Sequence, residues 1–500
     1  MFWRGVLGYL PVNLVQAVAG FGSILVFTRL LSPAAYGDYA LAFSVATLGH
    51  TLSMTWIEAA MARFYAAEPE GPDREALFAT VYGLFAVLGF VTPIAAALVL
   101  AFAPVSFALK LATAAGLVSA VARGLLKLSQ ERRRAAGDVR GFANFDMAVT
   151  GGGFLLGGLL AGFTGLGAAS PFVGMGVAST ACLVFALPSE LKVARRGRFD
   201  WARARAFLVY GVPLSLSLML SLALATTDRF VLAAYAGEAA VGAYHAGYTL
   251  SNRTLDVIFL WIGMAGGPAA VAALELGGAA ALRKTALNQA AMLLVVALPA
   301  AVGLAMVSQP LAQIMVGPDL TAQAARVTPW IAAGGLFSGL STYYLHTAFT
   351  LARRTGLQMV AVGIPAAANL VLCLALIPRF GLNGAMWSTA GSYGLGMVAS
   401  YALGQRCLKL PIPWRALAEV GAATALMALA ITVLPALGGF RELFLKTGVG
   451  ALAYGAALLA LNPGGVRSIG VQLVRTRFRS AGPGDGPGPL LSDVRLEDAA

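Results

Sequence analysis

The sequence predicts an all-α transmembrane protein of about fourteen spanning helices, and three observations predict it. Hydrophobic residues fill 59% of the 500 positions and charged residues only 11%, whereas a soluble domain needs roughly 25% charged residues to cover its surface. The charges sit in short clusters separated by apolar runs of about 20 residues, the length a helix needs to cross a hydrocarbon core of roughly 30 Å. Such runs are too long for barrel strands, and backbone groups in lipid must be bonded internally, which leaves helices.

The spans expected from these runs are 5–28, 38–62, 77–101, 105–127, 142–163, 168–189, 207–230, 239–265, 286–308, 326–350, 357–377, 382–405, 416–438 and 443–462. The first is long enough to be a retained span, with no evident cleavage site. After the last, 464–500 is rich in Gly and Pro, carries Arg475, Arg477 and Arg479, turns acidic at its end, and is expected to be a disordered tail.

Charge supplies an independent test, because the spans were placed without it. With the N-terminus inside, 26 Lys and Arg fall in inner segments and 7 in outer ones, while Arg123 and Arg253 lie within spans. Positive residues favour the cytoplasmic side, so both termini are expected in the cytoplasm of a multi-pass protein of the bacterial inner membrane. The net charge of +13 then belongs to loops facing anionic lipid, and nucleic acid is not an expected partner. Cys182, Cys373 and Cys407 have no metal-ligand spacing and read as packed thiols.

The basic connections 128–141 and 190–206 are the longest on the inner side. In the second, Trp201, Arg203 and Arg205 with Phe199 and Phe207 suggest either a short interfacial helix or a solvated loop.

Weak echoes relate the two halves of the chain. Thr28-Arg29 followed by Tyr36-Gly37-Asp38-Tyr39-Ala40 parallels Thr227-Asp228-Arg229 followed by Val241-Gly242-Ala243-Tyr244. Gly165-Leu166-Gly167-Ala168-Ala169 likewise parallels Gly381-Leu382-Asn383-Gly384-Ala385. The offsets correspond to six helices, an even number, which keeps each copy in the same membrane orientation, related by a pseudo-two-fold axis along the membrane normal. The expected organisation is a six-helix lobe at 1–190, a basic linker at 191–206, a second six-helix lobe at 207–406, two additional helices at 407–463, and the tail. Glycines at 151–153, 157, 158, 266 and 267 are candidates for close helix crossings or bends.

The stretch from Thr28 to Ala40, the pair of motifs at Thr227-Asp228-Arg229 and Val241-Gly242-Ala243-Tyr244, and Ile377-Pro378-Arg379-Phe380-Gly381-Leu382-Asn383-Gly384-Ala385 together resemble the polysaccharide transporter branch of the multidrug/oligosaccharidyl-lipid/polysaccharide exporter superfamily. Their order and spacing cover nearly the whole chain. The resemblance implies a two-lobe carrier that turns polyprenyl-diphosphate-linked oligosaccharide from the cytoplasmic to the periplasmic leaflet for exopolysaccharide or O-antigen synthesis. Its expected partners are that lipid, the membrane lipids and a polysaccharide polymerase, with no cofactor. The motifs mark the fold and do not name the sugar.

A charge inside a span is costly unless it faces a wet cavity or a partner, so each is a candidate site. Arg253 and Asp256 stand at i,i+3 near the middle of the eighth span, where Arg253 suits a diphosphate and Asp256 would orient it or exchange a proton. A buried structural ion pair is the competing reading. Arg123, Glu58, Asn144 and Asp146 are further candidates for the substrate path, with snorkelling or interfacial solvation as the alternative for Arg123 and Glu58. For gating or coupling the candidates are Asp228 and Arg229, expected to close the seventh span as an outer gate, with Arg29, His50 and His245. His346 and the neighbouring Tyr343-Tyr344 either line a sugar path or belong to an aromatic cluster.

No nucleotide-binding glycine loop, zinc helix or large extramembrane segment is present, which weighs against an intramembrane enzyme of polysaccharide synthesis. A small-molecule or multidrug exporter of the same superfamily is the nearer alternative, and a non-transporting scaffold of envelope synthesis is a third.

Overall fold

Helices make up nearly all of residues 2–463, the part that the computed structural model describes, and no strand occurs among the described residues. The expected tail, 464–500, lies outside them.

The first seven helices follow in sequence: α1 (Phe2–Leu30), α2 (Pro33–Ser53), α3 (Thr55–Phe64), α4 (Pro72–Phe102), α5 (Phe107–Ala135), α6 (Val139–Phe163) and α7 (Ser170–Ala194). Their starts are set by local chemistry. Ser32 accepts from the N–H of Ala35 ahead of Pro33, Ser106 accepts from Leu109, and Asp138 accepts from Gly141, each satisfying an otherwise orphaned first-turn donor. The expected second span, 38–62, is broken at Met54 into α2 and α3, which meet at 48°. At that corner the Ser53 hydroxyl bonds back to the carbonyl of Gly49 at 2.6 Å, a contact compatible with a bend.

Next comes α8 (Trp201–Met306), an unbroken helical assignment of 106 residues. A straight helix of that length would run about 160 Å, and it does not. Gly237 and Gly278 have φ of +79° and +66°, the left-handed conformation that ends a helical turn and favours glycine. Tyr244 bonds to Asp228 across the first of them, and a Cβ on Gly266 would lie 2.1 Å from Nε2 of Gln289 across the second. Neither contact is possible along a straight axis, so the chain doubles back at both glycines. The remaining helices are α9 (Ser308–Met315), α10 (Pro318–Leu340), α11 (Thr347–Leu351), α12 (Thr355–Phe380), α13 (Leu382–Gly404), α14 (Trp414–Thr432) and α15 (Gly439–Leu461), with a π-helical turn, Ser341–Leu345, before α11.

Ten of the described helices are long and apolar enough to cross a membrane, or eleven when the bent pair counts as one span. The expected fourteen is not reached on that measure for two reasons. The 60-residue candidate Trp201–Leu260 counts once although it reverses at Gly237. Also, α10 and α13 are not among the ten; α13 buries Ser388, Thr389, Ser392 and Ser400, giving it a protein-facing polar side at the expense of hydropathy.

The chain forms two compact units. The first comprises Met1–Arg253, Ala312–Ile331 and Met359–Leu395, with a core that includes Leu41, Leu232, Tyr244, Val327, Ile377 and Met386. Small residues bring its helices together where lipid gives no hydrophobic drive: a Cβ on Gly174 of α7 would fall 2.3 Å from the backbone nitrogen of Gly157 on α6. The second comprises Thr254–Leu311, Ala332–Gln358 and the described residues from Gly396 onward, around Leu255, Phe259, Leu293, Ala297, Leu336 and Tyr344.

The basic connection before α8 is neither a separate interfacial helix nor a free loop. The N–H of Asp200 donates to Thr80 Oγ1 at 3.0 Å, Phe199 covers Gly83, and a Cβ on Gly197 would meet the carbonyl of Glu75 at 2.0 Å. Arg203 bonds to Glu68 and pairs with Asp73 at 2.8 Å and Asp200 at 3.4 Å. These contacts strap residues 197–203 onto the start of α4.

Candidate functional site

On α1, Asn13, Gln16, Gly20 and Ser23 recur at helical spacing and make one polar stripe in an apolar helix. Two of the expected site residues meet that stripe. Gln16 Nε2 donates to Asp146 on α6 at 2.8 Å, while Gln130 on α5 reaches the other carboxylate oxygen at 3.5 Å. Arg253 of α8 lies against Gly20, where a Cβ would be 3.6 Å from its Nε. Arg253 is exposed and Asp146 half-buried, so this face offers a fixed carboxylate, the amides of Gln16 and Gln130 and a guanidinium to whatever fills the space beside α1, while Asn144 is exposed elsewhere on α6. Gln16, Gln130 and Gly20 were not singled out from sequence. The polar stripe on α1 was the signal that could have found Gln16 and Gly20; Gln130, on α5, gave no such signal.

Asp228 and Arg229 do not end their helix as expected. The helix continues to Gly237, which puts both residues about 12 Å inside that turn. Asp228 is completely buried and Arg229 is 4% exposed. Their side chains diverge: Asp228 accepts from the hydroxyls of Tyr244 and Thr389 and from the N–H of Arg229, whereas the Arg229 guanidinium donates to Ser44 at 3.3 Å and lies 4.8 Å over the Tyr248 ring. Buried charges persist where such partners offset desolvation.

The echoed motifs also touch each other. A Cβ on Gly37 would fall 1.8 Å from the carbonyl oxygen of Glu238, and one on Gly242 would fall 2.3 Å from that of Pro33. Tyr36 and Tyr39 pack around His245 at ring separations of 5.5 and 6.1 Å, and Thr249 lies 3.5 Å from its Nδ1, an aromatic and hydrogen-bonded setting. Arg29 donates to the carbonyls of Ile314 at 2.7 Å and Met315 at 3.4 Å, covering the C-terminal end of α9, where a cation is favoured. Beside it, Thr28 accepts from the N–H of Gly317.

His50 and Glu58 come together, Nε2 to Oε1, at 3.0 Å across the break at Met54. That pairing was not anticipated, because eight residues of continuous helix would set the two about 12 Å apart along the axis. Arg123 is exposed on α5, next to Gly124, which faces His50. In the second unit Asp256 is exposed, Tyr343 stacks on Phe259 at 5.7 Å, and Gln289 donates to the Tyr343 carbonyl at 3.0 Å. His346 lies 3.1 Å from Ser400.

A further polar centre was missed entirely. Glu190, 2% exposed, accepts from Tyr82, from Ser129 at 2.6 Å and from Arg132 at 2.7 Å, joining α7 to α4 and α5. Glu190 stands near a helix end beside a basic loop, a position that gives no local signal of burial. Among the described residues no group of three or more His, Cys, Asp or Glu could hold a metal ion.

Solved structures share this fold. The chain is similar to a lipid II flippase MurJ in an inward closed conformation, with a TM-score of 0.74 and 13% identity, covering 91% of this chain and 99% of that one. It is similar also to a multidrug resistance MATE family transporter of the MOP superfamily in an inward-facing conformation, with a TM-score of 0.58 and 14% identity, covering 79% and 93%. No curated protein matches the sequence. At these identities the likeness shows the fold. The sequence match extends from residue 26 to residue 323, through the Thr28–Ala40 and Asp228–Tyr244 motifs, and the chain belongs to the polysaccharide biosynthesis protein family.

Proposed function

We propose that this protein is a flippase that moves polyprenyl-diphosphate-linked oligosaccharide from the cytoplasmic to the periplasmic leaflet of the bacterial inner membrane by alternating access, in exopolysaccharide or O-antigen synthesis. Family membership and the flippase-like fold support a membrane transporter. The observation that carries the substrate class is Arg253, an exposed guanidinium held against Gly20 on the polar stripe of α1. A diphosphate needs positive charge and several donors, which a guanidinium fork supplies. Asp146 and Gln16 supply acceptors and donors for sugar hydroxyls.

In this reading the lobes 1–190 and 207–406 alternate about the membrane normal, both termini are cytoplasmic, and a polymerase consumes the delivered unit. No bond of the substrate is made or broken, so the protein acts as a transporter. The test is leaflet exchange of a fluorescent polyprenyl-diphosphate oligosaccharide in vesicles containing the purified protein. Exchange above that of protein-free vesicles, abolished by Arg253→Ala, is the expected result. Transport of a cationic drug with no exchange of the lipid would favour the multidrug exporter instead.

A further inference from the structure

We infer that His50 and Glu58 form one proton-binding site seated in the break between α2 and α3. In an unbroken helix eight residues advance about 12 Å. Here the 48° bend closes that distance to a 3.0 Å approach. Met54, at the corner, has φ −119° and ψ −29° and still donates to the carbonyl of His50, so the break is a folded feature. Glu58 is 7% exposed, and its Oε1 receives no aligned hydrogen bond, with His50 Nε2 at 3.0 Å from it. On the other side α5 is cut back to glycine: a Cβ at Gly124 would lie 2.9 Å from His50 Cε1 and 3.2 Å from Met54 Sδ and Phe85 Cζ.

A carboxylate and an imidazole 3.0 Å apart can hold one proton between them. With one proton between them, imidazolium and carboxylate attract strongly at low dielectric and hold the two helical pieces at their present angle. Removing that proton leaves a carboxylate facing a neutral ring, and the force closing the bend is lost. The surrounding elements carry few other titratable groups in this stretch. On α5 these are Arg123 and Lys127, the latter 3.7 Å from Glu131; on α4, Tyr82, bonded to Glu190; on α8, Tyr210, against Phe64; and on α3, Arg63. The site deepens the flippase reading by naming the ion that sets the α2–α3 angle, while the angle itself can be measured without substrate.

The test uses the full chain in lipid nanodiscs with Cys182, Cys373 and Cys407 replaced by Ser and spin labels at Phe43→Cys and Ala66→Cys. The distance between labels should shift, with a single midpoint, between about pH 5.5 and about pH 8.5. His50→Gln and Glu58→Gln should each abolish the shift, and either variant alone suffices if the other does not fold. A pH-invariant distance in the otherwise unsubstituted protein, or a shift that survives either variant, would overturn the site. Should the shift be present while lipid exchange is absent, the proton site stands and the flippase reading fails; exchange without the shift leaves the flippase reading standing and removes the proton site.

Discussion

The hydroxyl of Tyr244 donates to the carboxylate of Asp228 across a reversal of the chain at Gly237. Thr389, far along the sequence, donates to the same oxygen at 3.2 Å, and its Oγ1 lies 2.7 Å from the Tyr244 hydroxyl oxygen. One buried carboxylate thus ties together both limbs of a helical hairpin and α13. Deleting one donor leaves the charge buried with fewer partners, which costs about 1–3 kcal/mol. Tyr244→Phe should therefore destabilise the protein by about that much in thermal unfolding. A double-mutant cycle with Thr389→Val should show a coupling of at least about 0.5 kcal/mol, because both hydroxyls serve one acceptor. Additive costs would mean that the three groups do not act together.

Gly237 makes that reversal possible, and its φ of +79° sets what can replace it. An L-residue held in the left-handed region costs roughly 1–2 kcal/mol, with Asn among the most tolerant. Gly237→Asn should remain close to the parent in melting temperature, Gly237→Ala should lose about 1 kcal/mol, and Gly237→Val should lose more. An equal loss for Asn and Val, measured in the same detergent, would point to side-chain crowding in place of backbone strain.

The two motif glycines make a sharper case. With Gly37 and Gly242 each facing a carbonyl of the other segment at less than van der Waals distance from a virtual Cβ, even alanine forces backbone to move. Gly37→Ala should cost at least the 1–3 kcal/mol typical of overpacking and lower the yield of monodisperse protein. Gly267→Ala, where nothing lies within 4 Å, is the matched control and should change neither.

How far the sequence reached can be judged on these same residues. Fold class was legible because apolar composition and the need to close backbone hydrogen bonds in lipid leave one solution. The end of the seventh span was not, because a hydropathy run treats Asp228-Arg229 as a boundary, whereas their desolvation is offset by Ser44, Tyr244, Tyr248 and Thr389. Those partners arrive by tertiary pairing and leave no local signal. Within the candidate site Arg253, Glu58 and Asp146 stood out as charges in apolar surroundings. Their neighbours Gln16, Gln130 and Gly20 are ordinary in isolation, and His50–Glu58 depends on the bend at Met54, which no local pattern announces.

Outside the spans, acid sensitivity should concentrate at Asp138. The backbone N–H of Gly141 and then Arg133 hold its carboxyl below its ordinary value of 3.8. A depressed folded value contributes stability that is present above the unfolded value and is lost as pH falls through the folded one. The melting temperature of Asp138→Asn should thus fall short of the parent by a degree or so at neutral pH, and the two should converge below about pH 3. A gap that stays constant on acidification would assign the effect to something other than charge.

Arg253 separates transport from folding most cleanly. Its side chain is exposed and rests on Gly20 without filling a core position, so Arg253→Ala should change unfolding by no more than about 0.5 kcal/mol. A lost charge-assisted hydrogen bond to a phosphate is worth about 1.5–3 kcal/mol, which corresponds to roughly a ten- to hundredfold loss in lipid exchange. Arg253→Lys keeps the charge but not the planar fork and should fall between the two. Gly20→Leu provides the complementary perturbation: it leaves every charge in place and pushes a side chain into the space beside Nε. If the guanidinium works from that position, Gly20→Leu should slow exchange nearly as much as Arg253→Ala, and full activity in the leucine variant would show that the cation acts from somewhere else.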